Sequence, residues 1–305
     1  MKTKNLILNR SLGGAAFAGA VLLMAFSAPA QNLFVSGYSS GNISEITPGG
    51  GVSTFAAGMN FPIGLAFNSA GDLFVANSAN NAIPAAGSII EITPGGTQST
   101  FVSGIDPQGI AFNSAGNLFE SDYRSGNIYE FTPGGVLSTF ATGLSFPLAM
   151  TFNSAGDLFV GAGYGAGNGY IEEIMPNRTT SVFASGLYFP NGLAFNSAGN
   201  LFESDLGTST IYEFTPGGVR STFASVTSPN ELAFNNAGNL FVATATGPIV
   251  EITPDGTQST FASGLGDVGV AFAPVPEPSV YALLGLGAAR LFIRYHRMWR
   301  KTISI

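Results

Sequence analysis

The chain has 305 residues, 45% hydrophobic and only 10% charged, with a net charge of −7. That is ample apolar material for a large core, and the charged share lies well below the roughly 25% of ordinary domains. Cysteine is absent, so disulfides and thiol chemistry are excluded. Between Gln31 and Pro274 the basic residues are Arg124, Arg178 and Arg220 alone, and acidic residues far outnumber them. Such a surface cannot neutralise phosphates, which excludes nucleic acid as a partner.

Residues 1–30 have three parts. Lys2, Lys4 and Arg10 form a positive start, residues 15–26 are an apolar run, and Ala28-Pro29-Ala30 is a small-x-small cleavage site before Gln31. This pattern predicts a secretory signal peptide. The alternative, a membrane anchor, needs about 20 apolar residues.

Residues 31–274 repeat one phrase. Asn-Ser-Ala-Gly-Asp/Asn-Leu-Phe recurs at residues 68–74, 113–119, 153–159 and 196–202, and with one change at 235–241. Counted from the Leu, six units open at Leu33, Leu73, Leu118, Leu158, Leu201 and Leu240, spaced 40, 45, 40, 43 and 39 residues apart. Each unit predicts four short strands, as at 64–67, 73–75, 89–92 and 99–102. The turn signals between them are Asn-Ser-Ala-Gly, whose Asn and Gly tolerate positive φ, and Thr-Pro-Gly-Gly. A four-stranded period near 40 residues predicts an all-β fold, a six-bladed β-propeller of four-stranded antiparallel blades. The first unit lacks its first strand, and a spare one follows the last unit at 269–272. Pairing the two closes the ring and removes exposed edges; the alternative is an open β-solenoid.

Two phrases, Pro190-Asn191-Gly192-Leu193-Ala194-Phe195 and Leu73-Phe74-Val75-Ala76-Asn77-Ser78-Ala79-Asn80-Asn81, resemble NHL-repeat and gluconolactonase-like six-bladed propellers. The resemblance covers residues 32–274. It implies the fold more firmly than an activity, because propellers host many functions.

Residues 275–305 begin with Val275 and the motif Pro276-Glu277-Pro278, followed by an apolar run at 280–289 and a basic end. This tail resembles the PEP-CTERM sorting signal. That resemblance implies export machinery with an exosortase, transient membrane association, and a place in the cell envelope, at the outer surface or outside the cell, often beside exopolysaccharide. Arg290 interrupts the apolar run. At about 1.5 Å per helical residue, 280–293 reaches only about 21 Å, short of a roughly 30 Å hydrocarbon core. Short helical segments are expected at both chain ends.

The only histidine, His296, lies in the tail, and residues 31–274 hold no Lys, His or Cys. The usual general bases and covalent nucleophiles are therefore missing. The Gly-rich stretch 161–169 is followed by no helix that would offer its N-terminus to phosphate. What remains is oxygen chemistry, which suits Ca²⁺ or another hard divalent cation. Glu45, Glu91, Glu130, Glu173, Glu213 and Glu251 share one slot of the repeat and read as structural. Phe67, Phe112, Phe152, Phe195, Phe234 and Phe272 share another and read as blade-to-blade packing.

Positions that break the repeat are the candidates. After the first-strand Pro come Gln108, Asn191 and Asn230, expected at the mouth of the channel as ligand-binding groups. Glu231 follows Asn230. The second strand reads Leu-Phe-Glu-Ser-Asp in two units, with Glu120 and Asp122, then Glu203 and Asp205. Each pair shares a strand face. The gluconolactonase-like resemblance implies a metal-ligating Asn at Asn191, with Asn230, Glu231 and Asp205 as candidate partners. Tyr38, Tyr123 and Tyr164 fall in loops where carbohydrate could meet them. Two functions stay open: a non-catalytic binding or scaffold propeller, with no catalytic residue assigned, and a divalent-metal-dependent hydrolase or lactonase.

Overall fold

The computed structural model describes residues 30–79 and 86–275. Ala28, the motif Pro276-Glu277-Pro278 and the helices expected at the two ends lie outside the described residues.

Among the described residues the chain forms 24 strands and no α-helix. They group into six four-stranded antiparallel sheets, numbered here as blades 1 to 6 from the units opening at Leu33 to Leu240. Blade 2 shows the pattern: Pro62–Phe67, Leu73–Asn77, Gly87–Ile92 and Gln98–Ile105 lie side by side in chain order. The inner strands of blades 2 to 6 are Pro62–Phe67, Pro107–Phe112, Met150–Phe152, Pro190–Phe195 and Pro229–Phe234. Asp267–Phe272 completes blade 1, and the six are neighbours in one closed ring. The protein is a six-bladed β-propeller.

Closure runs as the repeat count predicts. Asp267–Phe272 pairs antiparallel with Leu33–Gly37, Leu33 opposite Phe272 and Val35 opposite Val270. Outside the ladder, Asn32 O accepts from the Ala273 N–H at 3.1 Å. Gln31 Nε2 donates to Ala273 O at 2.7 Å.

The turns use a different device from the one expected. Gly71 takes positive φ (88°), but Asn68 does not. Instead the Asn68 side-chain oxygen accepts from the N–H groups of Ala70 (3.0 Å) and Asp72 (2.8 Å). Asn is there because its short amide caps the turn; Gly is there because the next residue must be left-handed. The same bonds recur at Asn113, Asn153, Asn196 and Asn235.

The core is divided among the seams between blades, with one apolar cluster in each. Each second-strand Phe sits between a Phe of its own outer strand and the inner-strand Phe of the next blade. Phe34, for example, meets Phe55 (4.9 Å between centroids) and Phe67 (5.1 Å) edge to face. Such pairs add stability beyond their buried area. The same trio recurs at the other five seams. The recurring glutamates are structural in blades 1, 3, 5 and 6: Glu45, Glu130, Glu213 and Glu251 each accept from the amide of the Asn before the second strand.

Candidate binding face at the channel mouth

Each inner strand starts at the face where the second strand ends. In blade 5, Pro190 pairs with Asp205 and Gly192 with Ser204, so Asn191 is an extra, unpaired residue. The inner strands of blades 1, 2, 3 and 6 break register at the same place. A bulge here re-aims the residues beside the axis, which periodicity alone cannot reveal. The backbones are also close: a Cβ on Gly192 would collide with Asn230 O and Glu231 Cα of blade 6. Glycine at this slot lets neighbouring inner strands approach.

The structure brings Asn191 and Asn230 together. Asn191 Nδ2 donates to Asn230 Oδ1 at 2.7 Å across the junction of blades 5 and 6. Glu231 occupies the slot that is glycine in blades 1, 2, 3 and 5. Burial pushes its carboxyl up to about 8, while a hydrogen bond from the Leu232 N–H pulls the other way. Part of its surface still meets solvent, so crowding by surrounding protein, not full enclosure, favours the neutral acid. Gln108 stands two blades from Asn191, half-buried at the same slot of blade 3.

Asp205 is placed elsewhere. One of its carboxylate oxygens accepts from Tyr188 N (2.8 Å) and the other from Thr208 N (3.0 Å), tying two loops above blade 5. Asp122 does the same above blade 3 for Asp106 N (3.0 Å) and Ser125 N (2.8 Å). Glu120 and Glu203 do not line the channel. Their face of the strand, shared with Leu118 and Leu201, turns to the preceding blade, where other blades carry Val. Both are fully buried, and no oxygen of either has a hydrogen-bond partner. Burial, then the neighbouring Asp122 and Asp106 charges, pushes the Glu120 carboxyl well above the usual range. For Glu203 burial leads again, Asp205 adds to it and Arg220 opposes it.

A divalent cation needs several converging oxygens. Asn230 Oδ1 already accepts from Asn191, and both Asp205 oxygens hold backbone N–H groups. Among the described residues no group of three His, Cys, Asp or Glu side chains could hold a metal ion. Asp205 is thus engaged with its own loops, and the oxygen donors left beside one another on this face are the Asn191 and Asn230 amides and Glu231.

No protein-family model matches the sequence, and no curated protein matches it. Solved structures do match. A structure titled as a nidogen/laminin complex superposes with a TM-score of 0.72 at 20% identity, covering 80% of this chain and 99% of that one. A putative gluconolactonase gives 0.61 at 18% identity over 73% and 88%. Virginiamycin B lyase from Staphylococcus aureus gives 0.60 at 15% over 79% and 87%. These likenesses establish the six-bladed fold and leave the activity to the site.

Sequence reasoning missed the partners of the loop tyrosines. Tyr123 packs on Phe146 (5.1 Å between centroids), Tyr164 on Phe189 (5.2 Å) and Tyr38 on Phe61 (4.9 Å). Each Phe directly precedes the Pro that opens or leads into the next blade's inner strand, so the pairs stand on the channel-mouth face.

Proposed function

We propose that this chain is a non-catalytic binding propeller, exported and held at the cell envelope, whose recognition face is the channel mouth. The observation that carries the reading is the Asn191–Asn230 pair: two amides bonded to each other beside a neutral-leaning Glu231, in a region without Lys, His or Cys. Amides offer donors and acceptors without charge, which suits recognition better than bond cleavage. The likeness to a chain of the nidogen/laminin complex supports the same side.

A metal-dependent hydrolase or lactonase is the second reading. Glu231 favours it, because an acid held protonated near neutral pH is what a general acid requires. Calorimetric titration of the full chain with Ca²⁺ separates the two. The binding reading expects no saturable heat; saturable binding that Asn191→Ala abolishes would sink it and justify assays with lactones and esters.

The export part rests on the two ends. The small-x-small site at Ala28 and Ala30 supports cleavage before Gln31, and Pro276-Glu277-Pro278 with the basic tail supports sorting by an exosortase-type system. Intact mass of the protein recovered outside the cytoplasm should begin at Gln31 and lack the tail. Replacing Pro276, Glu277 and Pro278 with Ala should leave the tail attached; the same mass from both proteins would remove the sorting role.

A further inference from the structure

The loops over blades 3, 4 and 5 carry two aromatic pairs that form one surface. Tyr123 and Phe146 meet across the junction of blades 3 and 4, and Tyr164 and Phe189 across that of blades 4 and 5. The two pairs flank blade 4 on the channel-mouth face, each built on the Phe just before the Pro that opens or leads into the next inner strand. The rings are open to water: Tyr164 is 64% exposed and Phe146 47%. Phe146 sits at φ 49°, the left-handed turn that Phe61 (58°) and Ser228 (50°) also take just before the corresponding Pro of their blades.

The surroundings limit what can dock. The charges near Tyr123 are Asp106 and Arg124, and they form an ion pair at 3.1 Å. Beside Phe189 and Pro190 stands the Asn191 amide. The face thus presents flat rings, phenols and amides with little net charge. A nucleotide or other strong anion finds no free cation partner in this set, and an acyl chain would cover phenols and amides without satisfying them. A sugar chain matches it: the C–H faces of pyranose rings stack on aromatic rings, and their hydroxyls exchange hydrogen bonds with phenols and amides.

We propose that the arc Tyr123, Phe146, Tyr164 and Phe189, with Asn191 beside it, binds a neutral polysaccharide chain. This rests on the binding reading above and names its ligand class. The test is calorimetric titration of the full-length protein with cellohexaose, maltohexaose and xylohexaose, followed in parallel by tyrosine difference absorbance. At least one hexasaccharide should bind and perturb the tyrosine band. Tyr164→Ala and Phe146→Gly should each weaken binding about tenfold or more. Glycine suits the left-handed backbone at 146, so this variant keeps its fold. Val136→Ser, on an outer strand turn and 67% exposed, should leave binding unchanged. No heat with any of the three sugars, or binding that both ring deletions leave intact, overturns the proposal. The calcium titration judges the underlying reading separately: silent calcium with silent sugars removes only the glycan, whereas Asn191-dependent calcium binding removes the reading itself.

Discussion

The seams between blades come in two kinds. Where blade 1 meets 2, 3 meets 4 and 5 meets 6, a second-strand Ser clamps the next inner strand: Ser36 Oγ donates to Ile63 O (2.6 Å), Ser121 Oγ to Leu148 O (2.6 Å) and Ser204 Oγ to Asn230 O. At the alternate seams that slot holds Ala76, Gly161 or Ala243. Facing those small residues from the next blade are Glu120, Glu203 and Val35, all fully buried. Repeat lengths alternate in the same way: 40, 40 and 39 residues from Leu33, Leu118 and Leu201, but 45 and 43 from Leu73 and Leu158. The working unit of this ring is therefore a pair of blades. One backbone packing accepts a polar clamp, an apolar contact or a buried acid, provided the opposing residue has the right size.

Each prediction presses on that contrast. The largest effect concerns the seam where the chain's two ends meet. Ending the chain after Gly266 removes the inner strand of blade 1 and bares the edge of Leu33–Gly37. The expected result is loss of the cooperative thermal transition or a Tm lower by more than about 10 °C, since a few kcal/mol shifts a domain of this size by that much. An unchanged Tm would show that the ring does not depend on its closing strand.

Next are the buried acids. An unsatisfied buried polar group costs roughly 1–3 kcal/mol, so Glu120→Val and Glu203→Val, which copy the residue of the other four blades, should each stabilise by about that much at pH 8. Chemical denaturation reads the change; destabilisation by either would mean that the carboxyl has a partner in the folded state. The same groups set a pH dependence. Their folded pKa values are raised, so the folded protein keeps protons that the unfolded chain loses above about 4.5, the ordinary value. Stability should be greatest in mild acid and decline as pH rises from there, with the Glu231 share of the decline complete beyond about pH 8. Glu120→Gln with Glu203→Gln should flatten the slope; an equally steep curve would assign it to other groups.

The smallest effect belongs to the clamps. Ser121→Ala makes an odd blade resemble blade 2 and removes both the bond to Leu148 O and the one from the Gly109 N–H, for a loss of about 1–2 kcal/mol. Ala76→Ser should bring no matching gain, because the facing seam was not built for a hydroxyl. Equal and opposite shifts from the two substitutions would erase the distinction between seams.

Much of this was legible in the residues. The Asn-Ser-Ala-Gly phrase marks the turn between first and second strands in blades 2 to 5 and, with one change, in blade 6; the spare strand at 269–272 announces closure, and the recurring Phe slot lies where packing needs it. Four features were not. Parity puts Glu120 with Leu118 on one face of a strand, but only the stacking of blades decides that this face meets a neighbour and not the axis. The Asn68 backbone stays out of the left-handed region because its side chain does the turn's work. The rings that meet Tyr123 and Tyr164 lie far downstream, at Phe146 and Phe189, and no local pattern links them. Asn191 was visible as an irregular residue, yet its bulge and its amide partner appear only when blades 5 and 6 are side by side.

The closing strand also gives the ring a direction. Asp267–Phe272 runs from the channel mouth to the opposite face, where Gln31 and Ala273 are bonded to each other beside the turn at Gly71. Whatever precedes Gln31 or follows Val275 is therefore joined to the molecule at one spot, on the side away from Asn191 and the tyrosines. A tether at either end would sit behind the disc, like the post of a dish, and leave the open side unobstructed.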